Sequence, residues 1–482
     1  LKLLPSAGLL LSVILCLMMS MVSGSVLLAG GLFLVLAAAT APAVIPFRKR
    51  TVYAVLTARW RWRRTVRRGE HIYRSGLAGV TPSGARTLPG LLAQVEAYSA
   101  RDGAGRYFAL LGYPRAALWS VVFSVSPQGG ALVDQRTVDD WVSAWGGFLT
   151  TLGQEGGVVQ ASATVSTTLD DGALLRAHTE RLIVPAAPPF AAAAMRASAA
   201  ELPLNMTAST GWVSVTFSGP ALGIKANDAA TAAEEIGRRL PGLTDALVFA
   251  GLRRVDPMPV SSLARLVREA FDPLVAAGNA ELDATGTPPV TSWADCGPSG
   301  HEESGTSYWH DSAQSRTYEA LEVPRGLVYD DLFARLAGPI ADAPRKRVTL
   351  LYRPVDAGRT ATVVDQDLKS SINRAGRRDL AHARESADVR AAQQATEEEA
   401  SGAGVTTFSV LVTVTCLRGD DLGEGTEDFS RTCAAIDRAG RSAKFRLSPV
   451  HGAQAAAFAG ALGIGLSLQD MSVVLPAMRD HI

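Results

Sequence analysis

Apolar residues run almost without interruption from position 3 to position 47, and none of those 45 positions carries a charge. A single helix of that length would reach roughly 68 Å at ~1.5 Å per residue, about twice the ~30 Å of a hydrocarbon core. One straight span is excluded, whereas two of about 20 residues fit. The run weakens at Ser23-Gly24-Ser25. The pattern therefore predicts a two-helix transmembrane hairpin, residues 4–22 and 26–45, with a tight turn and with Pro42 and Pro46 stopping the second helix.

Beyond the hairpin the periodicity alternates between that of strands and that of helices. Strands are expected at 107–111, 118–125, 158–165, 212–217, 317–323, 347–352 and 405–415. Helical spacing appears at 138–152, where Trp141 and Trp145 stand at i and i+4, and at 191–200, 228–240, 364–400, 428–440 and 450–462. Residues 185–189 read as a turn, and the polar, Gly/Ser/Pro-bearing stretch 283–307 as a long loop. Strands mixed with helices predict an α+β region. Its expected parts are a first α+β domain at 73–208, a second at 209–345 and a C-terminal one with a long helix at 346–482. They follow a hairpin at 1–47 and a basic linker at 48–72.

Charge changes the picture. The 47 Lys+Arg and 46 Asp+Glu give a formal +1, but nine bases and no acid fall within residues 48–68. These are Arg48, Lys49, Arg50, Arg59, Arg61, Arg63, Arg64, Arg67 and Arg68, with Trp60 and Trp62 among them. With Lys2 they account for ten bases, leaving 37 against 46 acids from residue 69 onward, a net −9. Bases clustered beside a span favour a cytoplasmic flank, and the tryptophans suit the headgroup layer. The expected location is the cell (inner or plasma) membrane, multi-pass, with the large domain cytoplasmic. A signal peptide at 1–24 is disfavoured, because its apolar region would be long and no A-x-A site follows. A chain that starts with Leu is expected to have residues upstream. Cys16 lies in the apolar run, and Cys296, Cys416 and Cys433 form no C-x-x-C and no evident disulfide framework, in keeping with a cytoplasmic domain. A net −9 module disfavours broad phosphate binding, leaving a local nucleic-acid groove open.

Recognisable chemistry is sparse. The sequence has no G-x-x-x-x-G-K-[ST], G-x-S-x-G, S-x-x-K or H-E-x-x-H, so no catalytic residue and no cofactor is assigned. Gly463-Ile464-Gly465 lacks the third glycine of a dinucleotide fingerprint. The densest polar cluster is Cys296, His301, Glu302, Glu303, His310 and Asp311. His301, Glu302, His310 and Asp311 are weak metal-ligand candidates, since C-x4-H-x8-H matches no known ligand spacing and a surface loop explains it better.

Several segments together resemble a known family. They are Tyr73-Arg74-Ser75-Gly76, residues 88–93 (LPGLLA), residues 105–111 (GRYFALL), and residues 132–135 (LVDQ) running into 141–146 (WVSAWG). Residues 310–313 (HDSA), 352–354 (YRP) and 452–458 (GAQAAAF), with Gly452, Gln454 and Phe458, extend the match. Their order is similar to that in actinobacterial integral membrane proteins of conjugative, type IV secretion-like clusters. In those, a PrgI-like membrane hairpin is joined to a region like the N-terminal part of the conjugation ATPase. The resemblance implies a non-catalytic scaffold subunit of an export machine, in an oligomeric assembly with other secretion subunits. Its nucleotide-binding domain would be absent, so a separate P-loop motor ATPase is the expected partner, alongside membrane lipids. Tyr73-Arg74-Ser75-Gly76 also reads as a turn where the linker meets the folded domain. Two alternatives stand beside this reading. One is similarity to the type VII secretion E subunit, which also joins two spans to a large domain. The other is a membrane-anchored enzyme using the 301–311 cluster.

Overall fold

The computed structural model describes residues 46–47, 50–79, 84–127, 133–170, 172–201, 207–287, 291–322, 330–355, 393, 406–418 and 424–470. The expected spans at 4–22 and 26–45 lie outside these residues, as does all of the helix expected at 364–400 except Gln393. Among the described residues, no helix is long and apolar enough to cross a membrane. The described residues up to His71 belong to one unit and those from Ile72 on to another.

In the first unit, β1 (Pro46–Phe47) pairs antiparallel with β2 (Arg50–Thr51), and α1 (Val52–Arg67) follows directly. The basic linker is thus largely helical. Arg59, Arg61, Arg63, Arg64 and Arg67 all fall on α1, and the Arg64 guanidinium lies 5.6 Å over the ring of the exposed Trp60. Trp62 meets His71 edge to face at 6.3 Å.

The second unit is an α+β domain around one 13-stranded sheet. In chain order its elements begin with β3 (Ile72–Arg74), β4 (Glu96–Arg101), β5 (Tyr107–Tyr113), β6 (Leu118–Pro127), α2 (Gln135–Gln154) and β7 (Val158–Leu169). Then come α3 (Ala173–Leu182), α4 (Pro189–Glu201), β8 (Thr207–Ser218), α5 (Ala229–Phe249), β9 (Leu252–Pro257), α6 (Val260–Phe271) and α7 (Val275–Thr285). The chain continues with β10 (Gly300–Glu303), β11 (Tyr308–His310), β12 (Ala313–Glu322), α8 (Asp330–Ala337), β13 (Lys346–Pro354) and β14 (Thr406–Leu417). Last are α9 (Glu424–Ser442), β15 (Arg446–Pro449) and α10 (Gln454–Ala461). The strand order is β3-β10-β11-β12-β14-β13-β7-β8-β6-β5-β4, with β9 on β6, β15 on β12, and all described pairings antiparallel. Strands from all three expected segments, 73–208, 209–345 and 346–482, lie side by side in this sheet: β13 sits between β7 and β14. Hydrophobic periodicity locates strands but carries no information on which of them pair, so the boundaries at 209 and 346 mark no break in the sheet.

Two differences from the sequence pattern have local causes. The 283–307 stretch is not all loop, because β10 forms within it and pairs with β3, far earlier in the chain. Helix α5 also runs through Pro241, where the pattern predicted an end. Pro241 cannot donate to the Gly237 carbonyl, and the Gly103 N–H takes that acceptor at 3.1 Å, so the freed group is not orphaned.

Both sheet faces are covered. On one, α2 and α5 pack over Phe108, Leu110, Trp119, Phe123, Val215 and Phe217, while α8 and α9 pack over Val348, Val410, Val412 and Val414. On the other, α6 and α10 close over Leu111, Tyr113, Val122 and Trp212. Buried hydroxyls run across the middle of this second face. Ser162 pairs with Ser214 at 2.7 Å, Thr164 with Thr349 at 3.2 Å, Thr317 with Thr413 at 2.9 Å and Ser315 with Thr415 at 2.8 Å.

The segment leaving α10 lies on those hydroxyls. The carbonyls of Ala461 to Leu466 accept, in order, from Thr349 Oγ1 (2.8 Å), Trp212 Nε1 (2.9 Å), Ser162 Oγ (3.1 Å), Tyr113 OH (2.7 Å), Thr216 Oγ1 (3.0 Å) and Gln160 Nε2 (3.3 Å). A strap of backbone is thereby held by side chains instead of by a neighbouring strand, and its buried acceptors are satisfied. Gly463 and Gly465 belong to this strap, at φ +65° and +92°. Glycine at these positions serves close approach and backbone geometry.

Candidate functional site

The polar cluster at 296–311 is drawn together at the β3 end of the sheet. Register places Tyr73, His301 and His310 side by side on β3, β10 and β11, and Ile72, Glu302 and Trp309 side by side on the same three strands. Because side chains alternate along a strand, these two rows face opposite ways. The candidate ligands His301 and His310 therefore point away from Glu302.

The inward row is an aromatic stack. Tyr73 and His301 rings lie 5.1 Å apart at 17°, His301 and Tyr308 5.0 Å apart, Tyr308 and His310 5.1 Å apart, and His310 and Phe458 4.9 Å apart. Tyr73 OH donates to the Thr87 carbonyl at 2.8 Å, and Ser75 Oγ to the Pro298 carbonyl at 2.6 Å. Gly76, at φ +65°, turns the chain back so that its N–H meets the Ala85 carbonyl. The Tyr73-Arg74-Ser75-Gly76 segment thus locks β3 against β10 and the loop before it.

His310 is fully enclosed. Its Nδ1 is 2.6 Å from the Phe271 carbonyl, which can only accept, so the hydrogen bonding assigns the proton to Nδ1. Nε2 then accepts from Ser315 Oγ at 2.7 Å, and the Thr415 hydroxyl donates to Ser315. Burial pushes the imidazole down to about 4. A serine hydroxyl on a histidine nitrogen is the wiring of an activated nucleophile. Here Ser315 has no exposed surface, so no substrate reaches it and the pair acts as a packed polar core. Ser315 escapes sequence reasoning because it meets His310 only through the β11–β12 turn.

Asp311, Glu303 and Cys296 are likewise committed to partners, whereas His301 is not. Asp311, at φ +40°, accepts from the Ser299 and Gly300 N–H groups and from Arg268 Nη1 at 2.6 Å. Arg268 also binds Asp272 at 2.7 Å and the Gly297 carbonyl at 2.7 Å. Glu303 accepts from the Gln454 N–H, where a carboxylate favours the start of α10. The Cys296 thiol donates to the Trp293 carbonyl, and desolvation raises it to about 12. Burial lowers His301 to about 4, and its Nδ1 lacks a partner. Among the described residues, no group of three or more His, Cys, Asp or Glu is arranged to hold a metal ion.

The same strands line an open cleft of about 460 Å³ that includes Ile72, Arg74, Glu302, Trp309 and Arg418, with Tyr73, His301, His310 and Asp311 also on its walls. The Arg418 guanidinium stacks 5.3 Å over the Trp309 ring. Two arginines, the carboxylates of Glu302 and Asp311 and an indole give the cleft both charge and a stacking surface.

The other motif positions lie elsewhere. Gln454 is wholly buried: its Oε1 accepts from the Thr317 N–H at 2.8 Å and its Nε2 donates to the Thr317 carbonyl at 3.0 Å, as a neighbouring strand would. Gly452, at φ +68°, sets the turn into α10, on which Phe458 enters the core. On α2, Trp141 lies against Gly251, where a Cβ would come within 2.6 Å of the indole, and Trp145 packs on Phe148 and Tyr352. Of the membrane-surface candidates, Arg48 and Lys49 are outside the described residues, Arg50 is on β2, and Arg68 follows α1, ion-paired with Glu70.

His310 gives a pH prediction. Folded, it stays neutral down to about 4; unfolded, it takes up a proton below ~6.5. As pH falls through that window only the unfolded chain gains the proton, so stability falls. From pH 7 to pH 5 this one residue should cost ~2 kcal/mol. Urea titrations of the detergent-solubilised chain at the two pH values should show it, and His310→Gln should reduce the difference by about that amount, leaving the similar share of His301. An unchanged slope in that variant would refute the assignment.

Comparison with known protein families gives no matching family model, and no characterised protein matches the sequence.

Proposed function

We propose that this chain is a non-catalytic scaffold subunit of a type IV secretion-like or conjugative export machine, anchored in the inner membrane and docking a separate motor ATPase. The observation that carries the reading is the order of the parts. An uncharged run of 45 residues precedes nine bases without an acid, and a net −9 region follows. That order gives a bilayer anchor, its cytoplasmic collar and a soluble module. The motif resemblance supplies the type of machine.

The side-chain chemistry supports a binding role over a catalytic one. His310, Asp311, Cys296 and Glu303 are engaged in holding the β3 end of the sheet together. Under the enzyme alternative, His301→Ala would abolish function in a folded chain; the scaffold reading expects function to persist wherever the fold does. The anchored topology is tested by adding trypsin to intact cells. The Arg59–Arg68 stretch should resist cleavage until the membrane is opened, and cleavage from outside would sink the cytoplasmic assignment.

A further inference from the structure

Residues 182–195, LIVPAAPPFAAAAM, contain no charged and no hydrogen-bonding side chain in 14 consecutive positions. In a folded domain such a run is normally interior. Here it forms the end of the α3–α4 helical hairpin and stands in solvent: Phe190 is 87% exposed, Val184 62%, Leu182 58% and Met195 45%. The hairpin is seated by its other surfaces. Thr179, Ala192 and Ala199 are buried, α3 packs against both α4 and α7, and Arg196 bridges α4 to Glu180 on α3 at 2.6 Å. The apolar end is therefore an outward feature of a fixed element, and a patch of this kind marks an interaction surface.

We propose that this tip, centred on Phe190, inserts into the surface of the lipid bilayer that holds the chain. The inference rests on the reading of residues 3–47 as a membrane anchor, which keeps the whole protein beside a bilayer. Two observations select lipid over protein. A protein interface carries about one hydrogen bond per 100–200 Å², and this run offers no side chain to make one. Over residues 183–192 the backbone presents fewer donors than a polar loop would, the N–H groups of Val184, Ala186, Phe190 and Ala191 being left for the headgroup layer. Pro185, Pro188 and Pro189 have no N–H, while Ile183, Ala187 and Ala192 donate to the carbonyls of Thr179, Val184 and Pro188. Insertion would reach ~5–10 Å, the headgroup–acyl boundary, and would fix how the domain stands on the membrane.

The test uses full-length chain reconstituted in phosphatidylcholine–phosphatidylglycerol vesicles, with and without acyl chains brominated near the headgroup. Phe190→Trp is compared with wild type, and Phe249→Trp serves as a control at an apolar side chain 79% exposed on α5. The added emission at position 190 should be blue-shifted and quenched by the brominated lipid, and that at 249 unaffected. Equal behaviour of the two positions would overturn the proposal. A blue shift at 190 without bromine quenching would also overturn it, since a second copy or another protein would then cover the tip. Alkaline carbonate extraction separates the anchor from the wedge. Release of wild type by carbonate would defeat the anchor reading, whereas quenching at position 190 would still establish the wedge.

Discussion

Replacing Gly465 with alanine should strongly destabilise the sheet domain. The added Cβ would fall 1.8 Å from Ser120 Oγ and 2.7 Å from Thr216 Oγ1, in backbone at φ +92°. Overpacking costs about 1–3 kcal/mol and left-handed backbone in a non-glycine residue about 1–2, a sum of ~2–5 kcal/mol. Moving the strap to relieve the clash would also break the Thr216 bond to the Gly465 carbonyl and strain those to Ile464 and Leu466. Gly463→Ala should act in the same direction, with its Cβ 2.0 Å from Thr164 Oγ1. Gly278→Ala is the control: it lies on α7 with nothing within 4 Å, so alanine should be neutral or stabilise by up to ~1 kcal/mol. Thermal unfolding followed by circular dichroism compares the three. Equal midpoints for Gly465→Ala and Gly278→Ala would show that the strap is not docked as described.

The second large effect is expected at Arg268. This side chain is 4% exposed and joins Asp311 and Asp272, themselves 7% and 16% exposed. Arg268→Met would leave two carboxylates facing each other in a largely buried site, a loss of ~3–5 kcal/mol. It would also release Asp311 from one of the contacts that hold its φ of +40°, and with it the turn between β11 and β12. The triple change Arg268→Met, Asp272→Asn, Asp311→Asn should recover part of the loss, because the uncompensated charge is gone. By contrast, Arg238→Ala breaks a surface pair in which the arginine is 65% exposed and should cost at most ~1 kcal/mol. Denaturant midpoints decide it: Arg268→Met and Arg238→Ala behaving alike would contradict the buried triad.

The long apolar strands were legible from the sequence because β5, β6, β8, β13 and β14 cross the core, where hydrophobic residues must accumulate. The short strands β3, β10 and β11 were not. Their residues alternate between a packed inner row and an exposed outer row over three or four positions, too few for a period to show. The hydroxyl-rich rows of β7 and β8 mislead in another way. Ser162, Thr164, Ser214 and Thr216 are polar, yet all are at most 2% exposed, because the strap from residue 461 onward accepts from Ser162 and Thr216 while Ser214 and Thr164 pair with Ser162 and Thr349. For the polar cluster, composition grouped residues along the chain but could not show which partners each would meet. His310 is spent on Phe271 and Ser315, and Asp311 on Arg268, partners 39, 5 and 43 positions away. The pairing of Tyr73 with His301 joins a motif and a cluster that looked unrelated along the chain.

A scaffold must hold its motor, and that contact can be isolated. The full-length tagged chain would be purified from gently cross-linked, detergent-solubilised membranes and its partners identified by mass spectrometry. The account predicts a P-loop ATPase, encoded beside this gene, recovered in fixed proportion with the chain. Recovery of the chain without any such ATPase under the same cross-linking would contradict it.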